Sequence, residues 1–190
     1  LNNPGARAWA QSHYPELARR GVRTVVSIWG RDETELFDAA VVVAECKEVA
    51  AIEVNLSCPN HDDPRLMVSH DPEEVRKYIS VVAAATSGTI PIWAKLAPTT
   101  PDLVACSEAA EQSGASVVTL VNTLSAMSVD LDQRAARLSG VLGGLSGPPL
   151  HAVALRAIYQ VHSALPHLPI VGVGGVVNAR TALELMAVGA

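Results

Sequence analysis

The chain has 190 residues, of which 49% are hydrophobic and 17% charged, enough apolar material to bury the core of one globular domain. A formal net charge of -5, with no cluster of Lys and Arg, argues against a nucleic-acid partner, and no apolar run approaches the roughly 20 residues that a membrane span needs. The three cysteines, Cys46, Cys58 and Cys106, are odd in number and far apart, which suits neither a disulfide framework nor a zinc knuckle and fits a reducing, cytoplasmic setting.

Aromatic residues make up only 4% of the chain, so the core is built from Ala, Val, Leu and Ile, a palette suited to helices packed on a parallel sheet. In chain order, Asn3-Pro4-Gly5 reads as a turn and the segment up to Arg20 as a helix. Val22 to Trp29 is strand-like and ends at Gly30. Asp32 with Glu35 has the spacing of a capping box, and Leu36, Ala40, Val43 and Ala44 form the inward stripe of the following helix. Ala51-Ile52-Glu53-Val54 is the next strand, running into Asn55-Leu56-Ser57-Cys58-Pro59-Asn60, where Pro59 stops regular structure. The polar segment from His61 to Arg65 is long enough to form a loop over that strand end.

Asp71-Pro72-Glu73-Glu74 is a helix start with a cap, a proline in the first turn and acids at the positive helix end. Pro91 to Leu96 is the third strand; Thr100-Pro101 opens a helix that takes Cys106 into the core, and Ser116 to Asn122 is the fourth strand. A polar excursion from Ser125 to Ser139 precedes a helix bearing Leu150, Val153, Ala157, Ile158 and Val161. Pro169 to Val173 is the fifth strand, Asn178 caps the last helix, and Leu183 with Met186 is expected to face inward. Strand and helix alternate throughout, the pattern of a parallel α/β sheet, whether open or closed.

Chemistry gathers at the strand ends. Cys58 lies between two amides, Asn55 and Asn60; a lysine, Lys95, stands inside the apolar run Ile92-Trp93-Ala94-Lys95-Leu96; and the fourth strand finishes on Asn122 and Thr123. A single cysteine is usually a small core residue and a single lysine usually a snorkelling one, but three strands delivering polar heads to one end is the arrangement of a ligand site. Two glycine groups, Gly143-Gly144 with Ser146-Gly147 and Gly172 with Gly174-Gly175, read as standing at helix starts, where bare amides seat phosphate. Either alone is as readily a tight turn. Neither is a Walker motif or a dinucleotide fingerprint.

With Asn55-Leu56-Ser57-Cys58-Pro59-Asn60, Lys95-Leu96-Ala97-Pro98, Val121-Asn122-Thr123, Gly143-Gly144-Leu145-Ser146-Gly147-Pro148 and Gly172-Val173-Gly174-Gly175-Val176 in this order, the chain resembles the dihydroorotate dehydrogenases from Leu1 to Ala190. The resemblance implies a (β/α)8 TIM barrel that oxidises dihydroorotate to orotate in pyrimidine (UMP) biosynthesis with FMN. About five βα units are present, so residues 1–190 are expected to form a single FMN-binding barrel domain that lacks the N-terminal strands and the last strand. The start at Leu1 and the stop after a helix are in keeping with a piece of a longer protein.

Carried over by position, the resemblance makes Cys58 the general base and gives Leu1, Asn55, Asn60, Asn122 and Thr123 the pyrimidine. It assigns Ser27, Asn55, Lys95, Val121, Gly147, Gly174 and Gly175 to FMN. A cysteine as base implies the soluble class 1 enzymes. The glycine run followed by Ala154-Leu155-Arg156 is similar to the 1B branch, in which a catalytic homodimer core passes electrons through an FAD and iron-sulfur subunit to NAD. The loop from His61 to Arg65 departs from that branch in lacking its glycines. The alternatives are a dihydropyrimidine dehydrogenase-like flavin domain, which would carry histidine in place of Asn60, and a flavin-free barrel isomerase or aldolase with Lys95 as nucleophile.

Overall fold

Every β-branched run singled out in the sequence becomes a strand of one parallel sheet. In the computed structural model, which describes residues 3–57 and 67–190, the chain opens with two short helices, α1 (Ala6–Ser12) and α2 (Tyr14–Arg19), in place of one. There follow β1 (Thr24–Ile28), α3 (Glu33–Ala44), β2 (Val49–Asn55), α4 (Pro72–Thr86), β3 (Ile92–Leu96), α5 (Leu103–Gln112) and β4 (Ala115–Leu120). The polar excursion is two antiparallel ribbons, formed by β5 (Leu124–Met127), β6 (Val129–Asp130), β7 (Ala135–Ala136) and β8 (Leu142–Leu145). The chain then runs through α6 (His151–Ala164), β9 (Ile170–Gly172) and α7 (Ala179–Ala187).

The main sheet has the order β1-β2-β3-β4-β9, all parallel. An open doubly wound sheet reverses its order part-way and takes helices on both faces; here each strand lies beside its predecessor in the sheet, the winding of a barrel wall. The helices pack on one face. Ile52 and Val54 of β2, Ala94 and Leu96 of β3, and Val118 and Leu120 of β4 are all essentially inaccessible, together with Leu36, Val43, Val75, Ile79, Cys106, Ile158 and Val161 from the helices. The other face, the inner side of the wall, carries Ser27, Glu53, Trp93, Lys95 and Thr119.

Local signals account for the helix starts. Asp32 accepts from the Glu35 N–H at 2.9 Å, Asp71 from Glu73 and Asp102 from Ala105. The Asp32 box closes only by half, since the Glu35 carboxylate takes the Arg31 N–H at 3.0 Å. Asn178 and Thr181 make a full reciprocal box at the head of α7.

Two expectations fail. Leu183 and Met186 are each 62% exposed, while Leu185 is the buried residue of α7; at about 100° per residue Leu183 stands almost opposite Leu185 on the helix, so the helix presents one narrow stripe to the sheet. Gly143 and Gly144 do not begin a helix but lie in β8, paired with Ala126 and Ser125 of β5. Their lack of a side chain serves packing: a Cβ on Gly144 would overlap Thr123.

Candidate active site at the strand ends

Parallel strands deliver their last residues to one rim, and the register shows which side chains meet there. Asn55 at the end of β2 pairs with Lys95 of β3, and Lys95 pairs with Thr119 of β4. Just past β4, Asn122 donates its side-chain amide to Asn55 Oδ1 at 3.0 Å, and its own Oδ1 accepts from the Thr123 N–H at 2.8 Å. Asn55 Oδ1 also accepts from the Ser57 N–H at 3.1 Å. The bridge is braced by backbone, since the Asn122 N–H bonds the Leu96 carbonyl and the Leu56 N–H the Lys95 carbonyl. Two amides from different strands are thus locked side by side over the end of β3.

Beneath them, on the inner face, Lys95 Nζ lies 3.5 Å from Glu53 Oε1. Both side chains are mostly covered, and a charge so placed needs its partner. Thr119 is fully buried beside Lys95, and among the described residues its hydroxyl has no hydrogen-bond partner, nor has that of Ser57. Ser27, in register with Glu53, is exposed on the same side of β1, whereas Val121 is buried. The peptide bond between Leu120 and Val121 is cis.

A hollow of about 240 Å³ opens above this rim, lined by Ser57, Met67, Asn122, Thr123, Ser125, Leu142, Gly143 and Gly144. A larger groove of about 710 Å³ runs along β1 between α1 and α3. The smaller one holds the Asn122 amide with Ser57, Thr123 and Ser125, and the larger is a cleft walled mostly by apolar side chains.

The glycines at the next two junctions come together. Gly147 (φ +76°) precedes α6, and Gly174 (φ +142°) and Gly175 (φ +65°) form the turn after β9, conformations that a side chain resists. A Cβ on Gly175 would fall 2.7 Å from the Gly147 carbonyl oxygen and 2.8 Å from His151 Cβ, whereas one on Gly147 would point into open space. Gly175 is therefore required by the approach of the two turns, and Gly147 leaves room beside it for a ligand. His151, at the head of α6, bonds the Gly174 carbonyl at 2.9 Å through Nδ1 and Glu184 Oε2 at 3.0 Å through Nε2.

The structure therefore brings Asn55, Lys95, Val121, Asn122 and Thr123 to one rim, places Ser27 on the inner face of β1, and sets Gly147, Gly174 and Gly175 against one another. Leu1, Cys58 and Asn60 lie outside the described residues, as does the segment from His61 to Arg65. Sequence reasoning missed Glu53, Thr119 and the His151–Glu184 pair. Glu53 was signalled by a carboxylate inside an apolar strand two positions before Asn55; the other two depend on register and turn geometry.

Comparison with known proteins identifies the family. The family model described as "Dihydroorotate dehydrogenase" matches residues 1–190. The chain belongs to the dihydroorotate dehydrogenase family. It is 38% identical over its full length to the dihydroorotate dehydrogenase B (NAD(+)) catalytic subunit of Maridesulfovibrio salexigens, covering 62% of that protein. It is 40% identical over 182 residues to dihydroorotate dehydrogenase A (fumarate) of Limosilactobacillus reuteri, 96% of this chain and 57% of the relative. The chain thus spans about 60% of the length of these curated relatives. Among solved structures, a dihydroorotate dehydrogenase of Eimeria tenella in complex with ferulenol superposes with a TM-score of 0.72 at 17% identity, over 97% of this chain and 55% of that one. At that identity the likeness concerns the fold, an α/β barrel of which this chain forms part of the wall.

Proposed function

We propose that the protein containing this chain oxidises dihydroorotate to orotate in pyrimidine biosynthesis, with FMN as the electron acceptor at the site. The observation that carries this reading is the pair of amides, Asn55 and Asn122, bridged across β3 beside the Lys95–Glu53 pair and next to a hollow of about 240 Å³. A planar, polar pyrimidine needs donors and acceptors fixed in one plane, and bridged amides supply both.

The residues present suit FMN. Gly147, with open space beside it, and the turn at Gly174-Gly175 offer bare backbone to a phosphate. Lys95 offers a cation on the inner face, and Ser27, Asn55 and Val121 complete the proposed cofactor contacts. FMN, when bound, takes the hydride that leaves C6 of the substrate. Asn55, Asn122, Thr123, Asn60 and Leu1 hold the pyrimidine, and Cys58 removes the proton from C5 as general base. Lys95 opposes the negative charge that accumulates as electrons arrive. A nucleophilic lysine of the aldolase kind sits in an apolar pocket or beside another cation; Lys95 stands beside a carboxylate, which favours the flavin reading.

The electron route proposed is that of the 1B branch, through an FAD and iron-sulfur subunit to NAD, with a homodimeric catalytic core. The relatives named as NAD-linked catalytic subunits support it, although the fumarate-linked relative is as similar. The ribbons after β4 support a protein contact there, since Met127, Val129, Leu131, Val141 and Leu142 are exposed. Among the described residues no helix is long and apolar enough to cross a membrane. A cytoplasmic setting suits Cys46 and Cys106, which are buried free thiols.

The test is the reduction of bound flavin by dihydroorotate in a single anaerobic turnover, with Cys58→Ala compared with wild type across pH. Loss of a positioned base lowers the rate about 10²- to 10⁴-fold and leaves flavin binding intact. A rate within a few-fold of wild type removes Cys58 from the mechanism.

A further inference from the structure

His151, which the proposed mechanism does not use, lies at the contact between the two glycine turns. Its ring is largely covered, at 14% side-chain exposure, and each nitrogen faces an acceptor. Nδ1 meets the Gly174 carbonyl at 2.9 Å, and Nε2 meets a Glu184 carboxylate oxygen at 3.0 Å. A carbonyl can only accept, so Nδ1 carries a proton, and a carboxylate can only accept, so Nε2 carries one as well. The ring bonded in this way is an imidazolium. Glu184 is fixed in turn by Arg180, whose Nε donates to the other carboxylate oxygen at 3.1 Å.

The bond to Gly174 has a geometric consequence. In a trans peptide the C=O and the following N–H point in opposite directions. Holding the Gly174 oxygen against His151 therefore fixes the direction of the Gly175 N–H on the opposite edge of the same peptide. We propose that His151, as an imidazolium strung between the Gly174 carbonyl and the Glu184 carboxylate, is a positioning residue that sets the Gly174–Gly175 peptide plane and so tunes affinity for the phosphate end of the flavin. This rests on the FMN reading of the glycine turns.

The groups that bear on the charge are named by the packing. From the turn after β9 there is the Gly174 carbonyl, and from α7 there is Glu184 with Arg180 behind it; the positive N-terminal end of α6 itself opposes the cation. The Gly174 carbonyl first, and then Glu184, hold the His151 pKa above its ordinary value against the cost of burial. Glu184 is lowered, chiefly by Arg180 and then by His151. Because the folded-state pKa is raised, the charged ring and its bond to Glu184 are fully present below the ordinary histidine value of about 6.5 and are lost as pH rises through the higher, folded value, while the Nδ1–H bond to Gly174 can persist in the neutral ring. Without the Glu184 bond the ring loses its anchor beside Gly174, so flavin affinity should weaken across the same window.

Two measurements on the complete protein test this. Histidine ring 15N NMR of the flavin-free protein reads the charge directly: the expected result at pH 7 is two protonated nitrogens on His151, and a largely neutral ring in Glu184→Gln. Fluorescence titration with FMN between pH 6 and 9 reads the consequence. Wild type should bind progressively less tightly as pH rises. His151→Gln should bind about tenfold less tightly at pH 6, the share of one charge-assisted hydrogen bond, with a flat profile, and His151→Lys should recover part of the affinity without the pH dependence. A neutral His151 ring at pH 6.5 overturns the strut, and equal FMN affinity in wild type and His151→Gln at every pH overturns its effect on the cofactor. Should wild type hold no FMN, the flavin reading itself fails and takes the affinity effect with it, while the NMR result still decides the charge state.

Discussion

The two faces of β3 share a backbone and little else. Ile92, Ala94 and Leu96 point at the helices and are 3% exposed or less; Trp93 and Lys95 point the other way and remain partly accessible. The helix side is held by close packing of apolar groups, each worth its area removed from water. The inner side holds a lysine, a glutamate and an unpartnered threonine hydroxyl, groups that burial alone would expel. One face of a single strand keeps the fold together, and the other spends part of that stability on placing charge and polarity where a ligand is proposed to bind.

This division can be broken by moving the same kind of change from one face to the other. Leu96→Ala, on the helix side, removes a fully buried side chain and should cost about 2 to 5 kcal/mol in chemical denaturation, with the flavin reduction rate per folded molecule nearly unchanged. Lys95→Met keeps the length of the stem and removes the charge, and the expected pattern is the reverse. The flavin reduction rate in stopped flow falls about a hundredfold, the typical effect of one lost stabilising group, with a loss of stability smaller than that of Leu96→Ala, since Glu53 is left without its counter-charge. If Lys95→Met destabilises as much as Leu96→Ala, the two faces are not divided in this way.

Glu53→Gln sharpens the same point with a smaller effect. The shape is kept while Lys95 loses its counter-charge 3.5 Å away. The pair is mostly covered, so the denaturation midpoint should fall, by less than in Leu96→Ala, and FMN affinity should change by a few-fold. A pH-dependent effect belongs to Cys106 on the helix side. Burial pushes its thiol up to about 11 from 9.0, and it bonds the Ser69 carbonyl at 3.4 Å. An acid whose folded pKa is raised is protonated in the fold where the unfolded chain has lost its proton, so its share of stability is present below about pH 9 and declines toward pH 11. Melting curves of wild type and Cys106→Ala should therefore converge across that interval, and curves that stay parallel contradict the assignment.

The same contrast explains what could be read in the sequence. The five parallel strands were legible because each is a short β-branched run between turn residues, and the stripe of α3 because Leu36, Ala40 and Val43 recur at helical spacing. Asn55, Lys95 and Asn122 were legible as polar residues at strand ends. The Glu53–Lys95 pair was not, since it depends on how β2 and β3 are registered, a relation between segments about forty residues apart. Gly144 was misread because its bareness makes room for Thr123, just before the paired strand β5, rather than for an anion at a helix start. Leu183 and Met186 were misplaced for a related reason: periodicity shows that an apolar stripe exists but not how wide a stripe the neighbouring elements cover. His151 carried no signal at all until the fold set it between two turns.

The central claim is that the rim of the strands is a site where dihydroorotate gives up its hydrogens to a bound flavin. The most direct measurement is an anaerobic titration of the complete, FMN-loaded protein with dihydroorotate, followed by flavin absorbance and by orotate formed. The account predicts bleaching of the flavin with one orotate released per flavin reduced. A protein that binds no flavin, or whose flavin stays oxidised under excess dihydroorotate, contradicts it.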